Sequence, residues 1–396
     1  MGKYTLLAHL VFFFNSVFLP KGLLYSQILS PLFYFKTFKR GKNTWLQWFL
    51  LFLIPYDLVH LYQGVVLDSF LASNLLFVLT YLSTIAIYHF ICDIESPEKI
   101  MGQVLLFNGL LVLVALPFFF FPKPYQEYFW YVKKITGGTH EVPRLALFTY
   151  EASYYSLLLT PVFSYFLLEP VVFKGQKHRA LTLALCTVPL LLSLSFGVIS
   201  ALLLSALFVC LIWLRTIFKS PIARSMFIGA VLLSCVGFWL LMQFPENIVV
   251  IRINNILEGK DTSANGRTSD SFKMAWLIAE MKDSWFGGGL GQVKHLTIEV
   301  VHKHFKYWGE FPRYDIPNAM GETLAIFGIV GVVIRIGLEV FLFFKTTVYR
   351  NYYRLLLFFF IFIYQFTGSF ITNIAEYVCW CIAFSPAFKL FDVKHK

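Results

Sequence analysis

Three polar clusters interrupt an otherwise apolar chain, and each holds residue types that can grip an anion or move a proton. The first is Pro143-Arg144, followed by Glu151, Ser153 and Tyr154. Proline suits the first turn of a helix, where its missing N–H would have no partner anyway. With a helix starting there, Arg144 and Glu151 are seven residues apart and share a face. A charge at the head of an apolar run needs a partner or a wet cavity. Arg144 is therefore either a headgroup anchor paired with Glu151 or part of an anion site. The second cluster is Asn265-Gly266-Arg267, just ahead of a helical apolar pattern. Free N–H groups at a helix N-terminus favour anions, and the guanidinium fork suits phosphate oxygens. A solvated loop arginine is the alternative. The third is Tyr314-Asp315-Ile316-Pro317-Asn318, with Glu322 four residues on. It reads as a polar pair at the mouth of a span, or as a helix cap plus a surface acid.

The outer histidines are His140, His295, His302 and His304. His302-x-His304 offers two metal ligands if extended but no clear third, so a single histidine acting as a base is the better reading. Gly287-Gly288-Gly289-Leu290-Gly291 lacks the Gly-Lys-Ser/Thr of a phosphate loop and no strand pattern precedes it, so it marks a tight turn. The six cysteines form no C-x-x-C pair and lie in or beside apolar runs, where cysteine serves as a small apolar residue. No metal and no cofactor is expected.

The elements that must carry these clusters follow from composition. Of 396 residues, 58% are hydrophobic and 14% charged, against about 25% charged in soluble domains. Mean hydropathy is +0.68. That composition excludes a soluble globule, disorder and a coiled coil, and leaves an all-α polytopic membrane protein. The net charge of +11 does not signal nucleic acid, because the basic residues sit in short links between apolar runs. No cleavable leader stands out.

A span needs about 20 apolar residues. Runs near 46–64, 69–91, 102–121, 151–171, 179–197, 198–214, 224–243, 322–345, 354–371 and 373–390 qualify, and weaker runs at 5–19 and 23–35 bring the expectation to ten to twelve spans. Basic clusters at Lys36–Lys42, Lys174–Arg179, Arg215–Arg224 and Lys345–Arg354, with the Lys394-His395-Lys396 tail, are separated by even numbers of spans. Positive links stay cytoplasmic, so both termini are expected inside and the segments 122–149 and 244–321 outside. The second outer loop balances nine basic against nine acidic residues. Within it, Thr268-Ser269-Asp270 can cap a helix that places Phe272, Ala275, Trp276 and Ala279 on one stripe, lying on the membrane or packed on the spans. Residues 1–396 read as a single integral membrane domain.

The order of short motifs resembles the O-antigen polymerase and ligase superfamily of bacterial envelope glycan assembly. The residues that carry the resemblance are Arg144-x6-Glu151-Ala152-Ser153, Ser193-Leu194-Ser195-Phe196-Gly197, Gly266-Arg267, Ala275-Trp276, Phe286-Gly287-Gly288-Gly289-Leu290-Gly291, and Pro317-Asn318-x3-Glu322 leading into Phe327-Gly328-Ile329-Val330-Gly331. The resemblance implies a GT-C-like glycosyltransferase fold with a large periplasmic loop, in a bacterial inner membrane. It implies transfer of glycan from an undecaprenyl-pyrophosphate carrier to a sugar hydroxyl, without metal or nucleotide sugar. Arg144 and Arg267 would hold the pyrophosphate, with Glu151, Asp315 or Glu322 as catalytic acid or base. Asn318, His140, His302, His304 and Tyr154 would bind substrate. Tyr125, Tyr128, Trp130, Tyr131, Tyr307 and Trp308 could stack on sugars or form an interfacial belt. A histidine often stands where this chain has Pro317, which leaves the base open.

Three functions compete. A polymerase joins lipid-linked repeat units into O-antigen or capsule, with a chain-length regulator protein as a candidate partner. A ligase moves finished glycan to lipid A–core. A flippase or secondary transporter would need charged groups at span centres, where only Asp57 and Glu376 stand out. The departure at Pro317 favours the polymerase.

Overall fold

A computed structural model describes residues 3–13, 44–134, 141–172, 179–212, 247–306 and 315–393, with isolated positions between them. The chain is an all-α polytopic membrane protein with one small hairpin of strands. A bilayer offers no partner to backbone N–H and C=O groups, so its apolar runs must close their hydrogen bonds within helices. In chain order the helices are α1 (Lys3–Phe13), α2 (Thr44–Gln63), α3 (Leu67–Cys92), α4 (Pro97–Phe118) and the short α5 (Lys123–Gln126). The strands β1 (Trp130–Lys134) and β2 (Glu141–Leu145) follow. Then come α6 (Ala152–Val172), α7 (Arg179–Leu192), α8 (Phe196–Ile212), α9 (Ile248–Leu257), α10 (Thr262–Arg267) and α11 (Ser269–Lys282). The last are α12 (Val293–Phe305), α13 (Ala319–Lys345), α14 (Tyr352–Tyr364) and α15 (Ile374–Phe384). Helices α3, α4 and α13 are each long and apolar enough to cross a membrane, and α7, α8, α14 and α15 contribute shorter apolar segments. The expected runs at 23–35 and 224–243 lie largely outside the described residues, as do His140, Tyr307, Trp308 and Tyr314.

The chain forms two compact units interleaved along its length. The first comprises Met1–Pro97, Gly266–Tyr349 and Ile361–Ala387; the second comprises Glu98–Asn265, Arg350–Phe360 and Phe388–Lys396.

In the second unit, the segment 122–149, expected outside, is not a simple loop. β1 and β2 pair antiparallel, with Tyr131 opposite Arg144 and Val132 opposite Pro143. The Trp130 indole N–H donates to the Ala115 carbonyl at 2.8 Å, which fixes the hairpin to the end of α4. Lys123 pairs with Glu141 at 2.8 Å, and the hydrogen bond it donates to that carboxylate raises the lysine pKa. This corrects the expected helix start at Pro143: the helix begins at Ala152, so Arg144 and Glu151 share no helical face. A two-stranded ribbon tolerates proline where no ladder N–H is required.

The first unit is built around a fault in α13. Gly328 has φ 65° and ψ −162°, so the helix breaks there. The break frees carbonyls behind it and N–H groups ahead of it. The Ser284–Leu290 turn takes up both sets. Gly288 and Gly289 donate their N–H groups to the Ala325 and Ile326 carbonyls at 2.8 and 3.1 Å. Ile329 and Val330 donate to the Ser284 and Trp285 carbonyls at 3.0 and 3.1 Å. The Tyr56 hydroxyl from α2 adds a second donor to the Ile326 carbonyl at 2.6 Å. The glycines are needed because the two backbones lie against each other. A Cβ on Gly287 would overlap the Ile326 carbonyl, and one on Gly328 would overlap the Trp285 carbonyl.

The loop helices pack on this fault. Leu53, Tyr56, Ala275, Ile278, Leu290, Leu296, Ile326 and Phe327 share one apolar core. The buried face of α11 is Ser271, Ala275, Ile278 and Ala279. Trp276, expected on one stripe with Ala275 and Ala279, is 43% exposed. Further ties hold the Phe286–His295 stretch to α2 and the α2–α3 turn. Gln292 Oε1 accepts the Val66 N–H at 2.9 Å, His295 Nε2 meets Ser69 Oγ at 3.0 Å, and His60 Nε2 meets the Phe286 carbonyl at 3.1 Å.

Gly328→Ala and Gly287→Ala are each expected to destabilise the protein by at least about 2 kcal/mol, since both combine a positive φ with a backbone overlap. Gly102→Ala, where a Cβ meets open space inside α4, should stabilise by about 0.5–1 kcal/mol. Thermal unfolding of the detergent-solubilised variants reads the order, and a Gly328→Ala chain melting with wild type would remove the argument.

Candidate functional site

In the second unit, the residues of the first cluster are held by backbone. Arg144 is half-buried, and its Nε–H donates to the Ser193 carbonyl at 3.0 Å. Ser193 follows the last turn of α7, where helix carbonyls lack partners and the dipole presents its negative end. The Ser193 hydroxyl is fully buried and meets Ser156 Oγ of α6 at 2.7 Å. The Arg144 guanidinium also lies 6.0 Å from the ring centroid of Tyr131, its cross-strand neighbour. A carbonyl at its edge and a ring beside it therefore fix the orientation of the fork. The Ser193–Gly197 motif proves to be the turn between α7 and α8.

Glu151 stands immediately before α6, where its carbonyl accepts the Thr149 hydroxyl and the Tyr154 and Tyr155 N–H groups. Tyr154 is buried in α6, its ring 5.0 Å from that of Tyr150. Trp130 is also buried, and its N–H is used by α4, so it presents no face for a sugar. Tyr125 and Tyr128 are exposed.

In the first unit, the second and third clusters meet. Arg267 ends α10 and stands two residues ahead of α11, half-buried. Its carbonyl accepts the Asn318 Nδ2–H at 2.7 Å. Asn318 is fully buried and is the N-cap of α13, its Oδ1 accepting the Gly321 N–H. The other leading N–H groups of α13 are satisfied as well. Ala319 donates to the Gly368 carbonyl at 3.1 Å and Met320 to the Gln365 carbonyl at 3.0 Å. Glu322 uses Oε2 to accept the Ile371 N–H at 2.7 Å. The start of α13 is thus stitched to the turn between α14 and α15, and Asn318 connects that stitching to Arg267. The helix-cap alternative for Asn318 is the observed one. Asp315 is exposed and pairs with Lys294 at 3.4 Å, a contact worth about 0–1 kcal/mol.

His302 and His304 lie in the last turn of α12. Two residues apart on a helix, they point about 200° apart, which corrects the extended arrangement that chelation would need. Among the described residues no group of three His, Cys, Asp or Glu could hold a metal ion.

One charged cluster escaped sequence reading. Arg335 lies in α13, within the run taken as apolar. Its Nε–H is shared between Gln365 Oε1 at 2.9 Å and Glu339 Oε1 at 3.2 Å, and its Nη1 donates to Thr323 Oγ1 at 3.0 Å. Its Nη2 is paired with Glu376 of α15. Gln365 returns a bond to Glu339 Oε2 at 2.8 Å, and the Trp380 indole donates to Glu376 Oε1 at 3.3 Å. The signal was available: an arginine inside a span, four residues before a glutamate, demands a buried partner. Glu376 had been noted as a lone span-centre acid; it is the counter-ion.

Residues 181–336 match the family model described as O-antigen ligase. The matched stretch takes in the Ser193–Gly197 turn, Arg267, the glycine turn, Asn318, Glu322 and Arg335, and leaves Arg144 and Glu151 outside it. No curated protein matches the chain significantly.

Removing one member of the buried ion cluster is expected to cost far more than removing its charge as a set. Arg335→Ala should destabilise by about 3–5 kcal/mol, while the double substitution Arg335→Met with Glu376→Leu should recover part of that loss. Thermal unfolding of the two purified variants checks this; equal destabilisation would deny a compensating pair. Asn318→Ala should cost about 1–2 kcal/mol through the lost cap and speed proteolysis near Arg267.

Proposed function

We propose, from the match of residues 181–336 to the O-antigen ligase family model, that the chain is a member of the O-antigen polymerase and ligase superfamily and polymerises undecaprenyl-pyrophosphate-linked oligosaccharide repeat units at the periplasmic face of a bacterial inner membrane. The observation that carries this reading is the family match over residues 181–336, within which Arg267, Asn318 and Glu322 stand together in the first unit.

The acceptor hydroxyl oxygen attacks the anomeric carbon of the donor sugar. The bond from that carbon to the pyrophosphate oxygen breaks, and the carrier leaves as undecaprenyl pyrophosphate. The leaving group departs easily if fixed cations meet its developing charge. Arg144 and Arg267 are the residues assigned to that task. The Ser193 carbonyl and the Tyr131 ring hold the Arg144 fork in one orientation, and Asn318 holds the Arg267 backbone. The hydroxyl proton goes to a carboxylate or a histidine, for which Glu322, Asp315, Glu151 and the outer histidines are the candidates. Glu322 is the carboxylate whose position is fixed by a backbone N–H. Asn318, Tyr154, His302, His304 and His140 complete the proposed substrate contacts. A chain-length regulator is the proposed protein partner, and both termini are assigned to the cytoplasm.

The matched family, described as O-antigen ligase, favours a second reading, an O-antigen ligase that delivers finished glycan to lipid A–core. Pro317, where a histidine often stands, favours the polymerase.

Deleting the gene and running the envelope glycan on a banding gel separates the two. A single repeat unit on the core is expected for the polymerase; an unmodified core would assign a ligase or a flippase. Arg144→Ala and Arg267→Ala should each abolish elongation while the protein still inserts, and Arg→Lys should be nearly as damaging because a point charge replaces a two-pronged donor. Long-chain glycan of normal length from either alanine variant would remove that residue from the reaction.

A further inference from the structure

A cavity that the transfer reading does not use lies within the first unit, between α2, α3, α13 and α15. Its volume is about 430 Å³, inside the range of about 300–1,000 Å³ typical of small-molecule sites. Phe49, Phe52, Phe77 and Phe327 line it, with Ile334 and Leu338 completing the wall. Arg335 and Glu339 also reach it, but their charges are already matched within the Arg335 cluster. The lining therefore suits a hydrocarbon body rather than a sugar.

One end of the cavity is different. Lys345, the last residue of α13, lines it together with His89 near the end of α3 and Trp45 at the start of α2. Direct contacts tie α3 to the start of α2 and to α15. The Tyr81 hydroxyl donates to the Trp45 carbonyl at 2.7 Å, Cys381 Sγ donates to the Thr84 carbonyl at 3.4 Å, and Cys92 Sγ lies 3.8 Å from Ser385 Oγ. Helix α2 also begins two residues after Lys42, the last of the basic run Lys36, Lys39, Arg40 and Lys42. Basic residues beside aromatic ones at one end of an intramembrane slot match the chemistry of an anionic lipid headgroup.

We propose that this cavity holds an acyl chain of one anionic phospholipid, with the lipid phosphate at Lys345. The chain fills a slot that the protein's own side chains leave open, in an interior that otherwise packs densely. By the distribution of basic links the lipid enters from the cytoplasmic leaflet, so the site is separate from the proposed transfer chemistry.

The test is native mass spectrometry of the full-length protein in mild detergent, with phosphatidylglycerol, phosphatidylcholine and undecaprenyl phosphate added separately. One phosphatidylglycerol is expected to stay bound, with phosphatidylcholine weaker by about fivefold, the effect of one lysine near a lipid phosphate. Leu338→Trp places an indole in the slot and should lose the lipid. Lys345→Gln should weaken phosphatidylglycerol by about fivefold, to the level of phosphatidylcholine. Lys345 is exposed, so this variant decides the matter even where the tryptophan variant fails to fold. Equal retention of the two phospholipids, unchanged retention in Leu338→Trp or in Lys345→Gln, or a preference for undecaprenyl phosphate would each overturn the proposal. None of these readings involves glycan, so the outcome is independent of the transfer assignment.

Discussion

The first unit depends on how one broken helix satisfies its backbone inside a bilayer. A membrane leaves few ways to interrupt a spanning helix, since each freed N–H and C=O costs several kcal/mol without a partner. At Gly328 the partner is another stretch of this chain. The Ser284–Leu290 turn offers donors to one side of the break and acceptors to the other, and three of its glycines have a positive φ or a blocked Cβ that only glycine tolerates. The Ser284–Leu290 turn and the helix it mends are consequently one structural piece. The core around Ile278, Leu290, Ile326 and Phe327 then closes over the joint.

Helix α13 carries this arrangement further than its apolar composition suggests. Its first turn is capped by Asn318 and by carbonyls from the turn after α14. Its middle is broken and refilled. Its second half carries Arg335, whose bonds to Gln365, Glu339 and Glu376 tie three helices through one guanidinium. Buried ion clusters give little net stability, because desolvation offsets attraction. What they do supply is a demanding geometry, and here that geometry fixes the turn on which Glu322 and Ile371 meet. Arg267 is held to the same region through its carbonyl, so its place near the head of α11 follows from the packing of α13.

Much of this was legible in the sequence. Composition and run length gave the class, and α2 to α4, α6 to α8 and α13 to α15 overlap apolar runs read as spans, whereas α5, α9, α10 and α12 lie in segments read as loops. The cap at Asn318 and the helix over Ser269–Lys282 followed from local chemistry. Other features were hidden for identifiable reasons. The hairpin of β1 and β2 depends on cross-strand pairing that a proline and a short polar stretch do not advertise. Trp276 was placed on the apolar stripe by helical spacing alone; the face that α11 buries is instead Ser271, Ala275, Ile278 and Ala279. The break at Gly328 lies in Phe-Gly-Ile-Val-Gly, where glycine alone cannot distinguish tight packing from a fault. Arg335 was absorbed into an apolar average. A single charge changes a window mean very little, yet it governs what the neighbouring helices must contain.

The Tyr56 hydroxyl and the Ile326 carbonyl are 270 positions apart in the chain. At ribosomal speeds of roughly 5–20 residues per second, the two arrive on the order of tens of seconds apart. During that interval α2 and α3 sit in the bilayer with His60, Ser69 and the Val66 backbone awaiting donors and acceptors that have not yet been made. The nascent hairpin must therefore survive by itself or under the care of the insertion machinery, and the hydrogen bonding of α2 and α3 is completed only after the later segments are made.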